Sequence, residues 1–395
     1  MKLDELKKQE HEYAMHTYGR FDAAFEHGEG CRLYDYEGRE YIDFTSGIGV
    51  TSIGYGNTRW IEAVSKQAAS LQHVSNLYYT EPAIELARRL CELSGHSKVF
   101  LCNSGAEANE CATKLARKYS FDKYGPGRSN IITLNNSFHG RTITTLAMTG
   151  QEKYHKFFSP FTDGFIYADP NIEDCKAHMD EKTCAVLLEG IQGEGGVVPL
   201  DGKFVAELCG YCAERDILVI FDEVQTGIGR TGRLFSYEWF GVRPDIVTSA
   251  KGLGGGLPIG AVLCNEKLSE VFQPGDHGST FGGNPVVCAG ANVVLGIVGN
   301  DEFLEDVCKK GEYIAGRIRA LDGVSGVRGK GLMIGIALES IDAAVFARAC
   351  LKNGLAVLTA KSHVRLLPPL TITREEIDKG LEIFEKTLKK LSEEK

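Results

Sequence analysis

The fold is decided by the stretch Ile217-Leu218-Val219-Ile220-Phe221-Asp222-Glu223. An unbroken apolar run of this length is typical of a strand that is buried on both faces of a parallel sheet. Two acidic residues follow at its carboxyl end, which is the edge where open α/β sheets bind their ligands. The stretch therefore predicts a parallel α/β sheet with Asp222 at its ligand-binding edge.

A second predicted strand, Asp245-Ile246-Val247-Thr248, leads into the glycine-rich run 249–260, which contains Lys251. Glycine allows a planar ligand to approach the main chain closely. A lysine amine there can form a Schiff base with a carbonyl cofactor if its pKa lies well below the ordinary value of roughly 10.4. Pyridoxal phosphate also needs an acid against its pyridine nitrogen, and Asp222 suits that role. Lys251 and Asp222 together predict a pyridoxal phosphate site.

The start of a predicted helix offers a place for the phosphate. The predicted strand Lys98–Cys102 is followed by Ser104-Gly105-Ala106-Glu107, and small or apolar residues then recur at helical spacing from Ala108 to Tyr119. Ser104 is the expected N-cap, with Glu107 completing a capping box. The free N–H groups of such a helix start bind phosphate, so we expect Gly105 and Ala106 to hold it.

The rest of the chain suggests two domains. Between residues 60 and 295, helical patterns alternate with short apolar runs, which predicts a mostly parallel sheet with helices on both faces. Upstream, 30–44 alternates around a turn as a hairpin does. Downstream, three short apolar runs precede a final helix. We therefore predict an N-terminal segment 1–59, a large cofactor-binding domain 60–295 and a small α+β domain 296–395.

Composition narrows the class of protein. The 395 residues carry a formal charge of −9, which argues against nucleic acid or an anionic membrane as a partner. No apolar stretch is long enough to span a bilayer, and the mixed charges of Met1–Glu10 do not resemble a signal or transit peptide. The twelve cysteines are scattered, with one Cys-x-x-Cys at Cys209 and Cys212. We expect a cytoplasmic protein without disulfides and without a metal site.

Six ordered motifs strengthen this interpretation. They are Asn103–Glu110, Phe138–Thr142, Gln192–Gly196, Phe221–Gly227, the lysine run 249–260 and Gly278–Pro285. Together they resemble the class III (ornithine-type) aminotransferases of the fold-type I pyridoxal-phosphate superfamily. The resemblance implies a large domain with a mostly parallel seven-stranded sheet and a smaller α+β domain against which the N-terminal segment packs. It also implies a homodimer with active sites at the subunit interface.

The resemblance also implies roles for single residues around the cofactor. Lys251 would form the Schiff base and then move the substrate proton, while Asp222 would hold the pyridine nitrogen. Thr280 would reach the phosphate bound by the other subunit. The cofactor-binding set implied by the resemblance is Gly105, Ala106, Phe138, which stacks on the ring, Asp222, Glu223, Val224, Gln225, Lys251 and Thr280.

Substrate-binding residues are implied in the same way. Arg365 would bind the α-carboxylate of glutamate and 2-oxoglutarate, and Glu194 would pair with Arg365 while an ω-amine donor occupies the site. Arg141 would bind the far carboxylate, and Ser279 would contact acetylornithine. Ile48 lies where ornithine δ-aminotransferases usually carry a tyrosine that recognises the free α-amine. The family branch most resembled transfers the δ-amino group of N2-acetyl-L-ornithine to 2-oxoglutarate in arginine biosynthesis.

Other functions remain open at this stage. Ornithine, succinylornithine or 4-aminobutyrate aminotransferases and the aminomutase branch share these motifs. The run 227–232 spells Gly-x-Gly-x-x-Gly, as in nicotinamide oxidoreductases, but it is displaced from the strand end and no clear helix follows it. A catalytically inactive binding protein is disfavoured because Lys251, Asp222, Arg141 and Arg365 are all present. One departure is Gly54-Tyr55-Gly56-Asn57-Thr58, where many relatives have Gly-His-x-His-Pro.

Overall fold

A mixed α/β architecture is seen in the computed structural model, which describes residues 3–394. The strands are β1 (Phe25–Glu29), β2 (Arg32–Asp35), β3 (Glu40–Asp43), β4 (Lys98–Cys102), β5 (Asn130–Leu134), β6 (Phe165–Ala168), β7 (Thr183–Leu188), β8 (Ile191–Gln192), β9 (Val198–Pro199), β10 (Leu218–Asp222), β11 (Ile246–Ser249), β12 (Gly260–Cys264), β13 (Val324–Lys330), β14 (Met333–Leu338), β15 (Leu355–Ala356), β16 (Leu358–Ala360) and β17 (His363–Leu366). The helices are α1 (Leu3–Tyr13), α2 (Ser46–Gly49), α3 (Thr58–Ser70), α4 (Glu81–Ser94), α5 (Gly105–Tyr124), α6 (Ile143–Ala147), α7 (Ile172–His178), α8 (Gly202–Glu214), α9 (Pro285–Val298), α10 (Asp301–Arg319), α11 (Ala343–Lys352) and α12 (Arg374–Glu393).

Seven strands form the central sheet, in the order β4-β12-β11-β10-β7-β5-β6. β12 is antiparallel to both of its neighbours, and the pairs from β11 to β6 are parallel. The predicted mostly parallel seven-stranded sheet is therefore confirmed. In a sheet of this kind the carboxyl ends of parallel strands share one edge, so β10 and β11 bring Asp222 and Lys251 close together.

Both faces of this sheet are buried, as the apolar run of β10 predicts. Leu218 and Ile220 belong to a core cluster that also contains Ala108, Cys111 and Ala112 of α5. Val219 and Phe221 point the other way, into the larger core that includes residues of α8 and α9. Alternate residues of one strand thus pack under different helices, which explains why the sequence shows no polar alternation there.

The start of α5 differs from the expected capping box in one bond. The Ser104 hydroxyl accepts from the Glu107 N–H at 3.2 Å, as predicted. The Glu107 carboxylate, however, accepts from Asn103, from its backbone N–H at 3.0 Å and its side-chain amide at 2.8 Å. The carboxylate satisfies two donors there, whereas Ser104 would offer one. The first-turn N–H groups of Gly105 and Ala106 remain without intrahelical partners.

The two ends of the chain share a sheet. β1, β2 and β3 form an antiparallel set that confirms the predicted hairpin in 30–44, and β15 joins β3 in parallel, with Leu355 opposite Ile42. A second sheet, β13-β14-β17-β16, carries Arg365 on β17. β1 and the β3–β15 pairing were not anticipated, because pairing between distant segments leaves no local pattern.

Residues 54–58, whose sequence differs from the Gly-His-x-His-Pro of many relatives, make local contacts. Tyr55 donates its hydroxyl proton to the buried Asp43 carboxylate at 2.9 Å, and Asn57 caps α3 by accepting from the Trp60 N–H at 3.1 Å. The two residues therefore make their own contacts in place of the histidines and proline of relatives.

Within the described residues, no single helix has the length and apolarity to cross a membrane, and one bent pair, α9 with α10 at 74°, meets those criteria only when the two are taken together.

Candidate active site

A cavity of about 390 Å³ opens where β10 and β11 end and α5 begins. The residues lining it that were anticipated from the sequence are Gly105, Ala106, Phe138, Asp222, Val224, Gln225 and Lys251. Three distant segments of the chain therefore meet in one concave space, with an amine, a carboxylate and a helix N-terminus facing it.

Asp222 is held rigidly at the deep end of the cavity. One carboxylate oxygen, Oδ2, accepts from His139 Nδ1 at 2.7 Å and from the Asn109 side-chain amide at 2.8 Å. The other oxygen accepts from the Val224 N–H at 3.0 Å. Asn109 is itself fixed by Thr248, whose hydroxyl donates to the Asn109 carbonyl oxygen at 2.9 Å. This network keeps a buried acid in one orientation toward the cavity.

Lys251 faces the same space from the end of β11. Its backbone has φ of +43°, a region that side-chain-bearing residues rarely adopt and that is found mostly at functional sites. Burial lowers the pKa of the Lys251 amine, although Glu194 and Asp222 act in the opposite direction. A lower pKa increases the share of the neutral, nucleophilic amine, as the predicted chemistry requires.

The other end of the cavity is formed by the first turn of α5. Ser104, Gly105 and Ala106 line it, and the uncompensated N–H groups of this 20-residue helix favour an anion there. Glycine is required at position 105, since a Cβ would lie 2.7 Å from Val224 Cγ1. The absence of a side chain at Gly105 leaves room in front of the helix, and Val224 closes one side of that space.

These donors fit pyridoxal phosphate. The amine of Lys251, the fixed acid Asp222 and the α5 N-terminus match the three polar ends of that cofactor. His139 Nδ1 contacts Asp222, while its buried Nε2 has no hydrogen-bond partner among the described residues, so the contact that the structure shows for this histidine is the one that orients the acid. The residues present would bind the pyridine nitrogen, the carbonyl carbon and the phosphate at separate walls.

Arg365 and Glu194 form an ion pair beside the cavity. Arg365 Nη1 lies 2.5 Å from Glu194 Oε1 and donates to Gln225 Oε1 at 3.0 Å. The arginine side chain is 3% exposed, and its Nε is buried without a partner. Burial alone would raise the pKa of Glu194, but Arg365 outweighs it and holds that pKa below its ordinary value. The pair is therefore charged, and Gln225 connects it to the cavity wall.

The remaining substrate-binding candidates lie further out. Arg141 is exposed and stacks on aromatic rings, with its Cζ 4.4 Å from the Tyr154 centroid and 5.5 Å from that of Phe138. The Ser279 hydroxyl accepts from the Asn103 side-chain amide at 3.0 Å, which ties its loop to the cavity rim. Thr280 is exposed and does not line this cavity.

The Glu223 side chain, although predicted to bind the cofactor, turns away from the cavity. Its carboxylate is fully buried and accepts from the Ser236 hydroxyl at 2.7 Å, the Tyr237 N–H at 2.9 Å and the Thr226 hydroxyl at 2.5 Å. Adjacent residues at a strand end point to opposite sides, so Glu223 faces the core when Asp222 faces the ligand.

Sequence reasoning missed Glu189, which also lines the cavity. It follows the apolar strand β7 as Asp222 follows β10, so the same signal could have found it. Glu189 is 5% exposed, and its oxygens accept from the Phe138 N–H at 3.0 Å and the Gly193 N–H at 3.2 Å. Burial, reinforced by Asp222, raises the pKa of Glu189 to about 8.

The Gly-x-Gly-x-x-Gly run 227–232 does not form a dinucleotide site. Gly229 and Gly232 adopt positive φ in a turn that surrounds the buried Arg230 guanidinium. Arg230 donates to the carbonyls of Leu332 and Pro368. Only a short 3₁₀ helix, Ser236–Phe240, follows, so no helix N-terminus is presented to a pyrophosphate.

Comparison with known proteins agrees with this site. The family model described as Aminotransferase class-III matches residues 13–388. An acetylornithine aminotransferase of Haemophilus ducreyi is 50% identical over 394 residues, which is 99% of this chain and 100% of that protein. Among solved structures, the ornithine aminotransferase from Toxoplasma gondii ME49 superposes with a TM-score of 0.95 at 31% identity, covering 100% of this chain and 97% of the other. The N-acetylornithine aminotransferase from Stenotrophomonas maltophilia K279a gives 0.85 at 34% identity, covering 98% and 100%.

Proposed function

This chain belongs to the class-III aminotransferases, enzymes that use pyridoxal phosphate, and on that premise we propose that it transfers the δ-amino group of N2-acetyl-L-ornithine to 2-oxoglutarate. The products are N-acetyl-L-glutamate 5-semialdehyde and L-glutamate, and the reaction serves arginine biosynthesis. The single observation that carries the proposal is the ion pair of Glu194 with Arg365, together with the exposed Arg141 guanidinium that stacks on Phe138 of the cavity wall.

The pair accounts for two unlike substrates in one site. An ω-amine donor brings no carboxylate near its reacting amine, so Arg365 would be a buried, unpaired charge unless Glu194 neutralised it. 2-Oxoglutarate brings such a carboxylate, which displaces Glu194 and binds the guanidinium in bidentate fashion. Glu194 is the partner able to move, because 26% of its side chain is exposed against 3% for Arg365.

The outer end of the site favours an acylated donor. Arg141, whose guanidinium forms no ion pair with an acid among the described residues, would bind the α-carboxylate of the substrate. Ile48 is 45% exposed and has no side-chain donor or acceptor for a free α-amine. An N-acetyl group carries no charge that needs such a partner. Acetylornithine therefore suits this site better than ornithine, and the name of the Haemophilus ducreyi relative supports the same choice.

The side chains divide the work of the reaction. Pyridoxal phosphate, when bound, supplies the electron sink for the substrate carbon. Asp222, fixed by His139 and Asn109, holds a proton on the pyridine nitrogen. The Lys251 amine, with its lowered pKa, takes and returns the substrate proton. Phe138 packs against the ring, and Gly105 with Ala106 holds the phosphate by backbone N–H groups.

The same proposal includes a cytoplasmic homodimer. Three consecutive residues, Leu77, Tyr78 and Tyr79, are 83%, 70% and 96% exposed, and Phe281 beside Thr280 is 61% exposed. Apolar surface of this extent is normally covered by another chain. A second copy would cover it and bring its Thr280 to the phosphate. We propose residues 60–295 as the cofactor domain and 296–395 as the small domain, with 1–59 joined to the latter through the β3–β15 pairing.

A side-by-side assay tests the proposal. The purified enzyme is given acetylornithine, succinylornithine, ornithine or 4-aminobutyrate with 2-oxoglutarate, and kcat/KM is measured for each donor. We expect acetylornithine to exceed ornithine by about tenfold or more, the difference of one well-placed polar contact. Equal or better use of ornithine would reject the substrate assignment, and succinylornithine in first place would reassign the acyl group.

A further inference from the structure

A second cavity, of about 360 Å³, lies apart from the active site. It is formed between α10 and the β13–β14 hairpin, with Trp239 in its wall. The side chains that give it chemical character are Trp239, Glu312, Arg319, Arg328 and Lys330. None of these residues takes part in the chemistry proposed above.

The cavity is strongly basic in an acidic protein. Arg319, Arg328 and Lys330 line it, and Arg233 lies close to the wall residue Trp239, its Cζ 4.8 Å from the ring centroid. Lys330 Nζ lies 4.6 Å from the same centroid. In the part of the chain that the structure describes, none of these four cations forms an ion pair with an acid, and Glu312 is the one acidic residue in the lining. The chain as a whole carries −9, so this concentration of positive charge is local.

Arg328 is fixed in place before any ligand arrives. Its Nε and Nη2 both donate to the Gly196 carbonyl, at 2.9 and 2.6 Å. Its third nitrogen, Nη1, has no hydrogen-bond partner among the described residues, and Arg328 is one of the residues that line the cavity. A guanidinium with two bonds already made loses little freedom when it binds an anion. Burial lowers the pKa of Arg328, as expected for a cation that is partly removed from water.

We propose that this cavity binds a small polyanion that carries carboxylate or phosphate groups. Arg319, Arg328 and Lys330 would supply charge-assisted hydrogen bonds, which are about twice as strong as neutral ones. A volume of 360 Å³ lies in the range of small-molecule sites and suits a compact metabolite.

The site is connected to the catalytic loop. Gly196, which holds Arg328, follows Glu194 by two residues in the same short segment. Gly196 has φ of +109°, and a Cβ there would lie 2.8 Å from Arg328 Nη2, so loop and guanidinium are in direct contact. An anion that pulls on Arg328 therefore acts on the segment 193–197, and occupancy of the cavity alters the mobility of that segment.

Calorimetric titration of the holoenzyme tests the site. Citrate and pyrophosphate are the separate probes, at constant ionic strength set with potassium chloride. The test variant is Arg319→Gln/Lys330→Gln, both exposed residues. The matched control is Arg348→Gln/Lys352→Gln on α11, which removes one arginine and one lysine that are likewise exposed and form no ion pair. We expect the test variant to weaken binding about tenfold or more and the control to change it less than twofold.

The pattern of binding identifies the ligand class. Binding of citrate alone indicates carboxylates, binding of pyrophosphate alone indicates phosphates, and binding of both indicates a site for either. Because citrate could also reach Arg365, the titration is repeated in Arg365→Gln, where the heat should persist. Equal binding by test and control variants, or loss of all binding in Arg365→Gln, would overturn the proposed site.

Hydrogen exchange tests the connection to the loop. At a probe concentration near the wild-type Kd, we expect amide exchange in 193–197 to change in the wild type and to change much less in the test variant. Exchange in that segment that does not respond to bound probe would overturn the link through Arg328.

Discussion

Glu189 accepts a hydrogen bond from the backbone N–H of Phe138 at 3.0 Å, and its second oxygen accepts from the Gly193 N–H at 3.2 Å. One buried carboxyl group therefore joins Phe138, which lines the cavity, to the loop that carries Glu194. Since its pKa is raised to about 8, this group keeps its proton in the folded enzyme at neutral pH.

Stability should depend on pH through Glu189. The folded state holds the proton up to about pH 8, whereas an unfolded glutamate releases it near pH 4.5. Between these values the folded state binds more protons, so the contribution of Glu189 to stability falls as pH rises, by at most about 1.4 kcal/mol per unit. Glu189→Gln removes this loss, and urea unfolding from pH 5 to 8 should show the variant gaining on the wild type as pH increases.

The exposed Glu181 provides the comparison for that measurement. Glu181→Gln should follow the wild-type pH dependence throughout the range. Parallel curves for wild type and Glu189→Gln would show that the carboxyl group of residue 189 does not hold its proton.

Asp222 and Glu223 are adjacent acids at the end of β10, but replacing each with its amide should have very different effects on activity and stability. Asp222→Asn should lower kcat by about 10²-fold or more, because the pyridine nitrogen loses its charged partner. Glu223→Gln should lower the melting temperature while leaving kcat within about threefold, since its carboxylate bonds only to Ser236, Tyr237 and Thr226. Steady-state kinetics and thermal unfolding measure both effects, and a Glu223→Gln enzyme that is stable but inactive would contradict the assignment.

Glu194→Gln should have different effects on the KM values of the amine donor and of 2-oxoglutarate. Without the Glu194 charge, Arg365 stays unpaired in the presence of the amine donor, so the KM for acetylornithine should rise about tenfold. The KM for 2-oxoglutarate should not rise, because its carboxylate no longer has to displace Glu194. Initial rates with each substrate varied in turn provide the measurement. An equal rise for both substrates would mean that Glu194 has only a structural role.

A substitution at Gly105 that weakens cofactor binding should be partly compensated by a smaller residue at position 224. Gly105→Ala places a methyl group 2.7 Å from Val224 Cγ1 and should push the α5 N-terminus away from the phosphate, weakening cofactor binding about tenfold. Val224→Ala in the same chain frees that space and should restore much of the affinity. Cofactor retention after dialysis, followed by absorbance, measures both. A double variant no better than Gly105→Ala alone would show that the close approach to Val224 is unimportant.

The sequence predicts the parts of the site that lie at strand ends. Asp222 and Lys251 were placed correctly because a buried apolar strand and the residue after it leave a local pattern. The same pattern at β7 points to Glu189, yet no motif draws attention to it. Glu223 was named by a motif of consecutive residues, whereas consecutive side chains at a strand end diverge, so its carboxylate lies away from the cavity and its role in cofactor binding stays a prediction.

Other features depend on contacts that no local pattern records. The stacking of Arg141 on Tyr154 and the bonds from Arg328 to Gly196 join residues that are distant along the chain or in different elements. The shift of the Glu107 bond from Ser104 to Asn103 is local, but donors three or four residues away are both within reach at a helix start, and the side-chain amide of Asn103 decides between them.

The parallel pairing of β15 with β3 sets an order on biosynthesis. While the ribosome is still translating, the edge of β3 stays open until residues 44–354 have been made and Leu355–Ala356 follows. An unpaired strand edge is a site that chaperones and proteases recognise during that interval. A nascent chain that stalls before residue 355 cannot complete this sheet, whatever the state of its cofactor pocket.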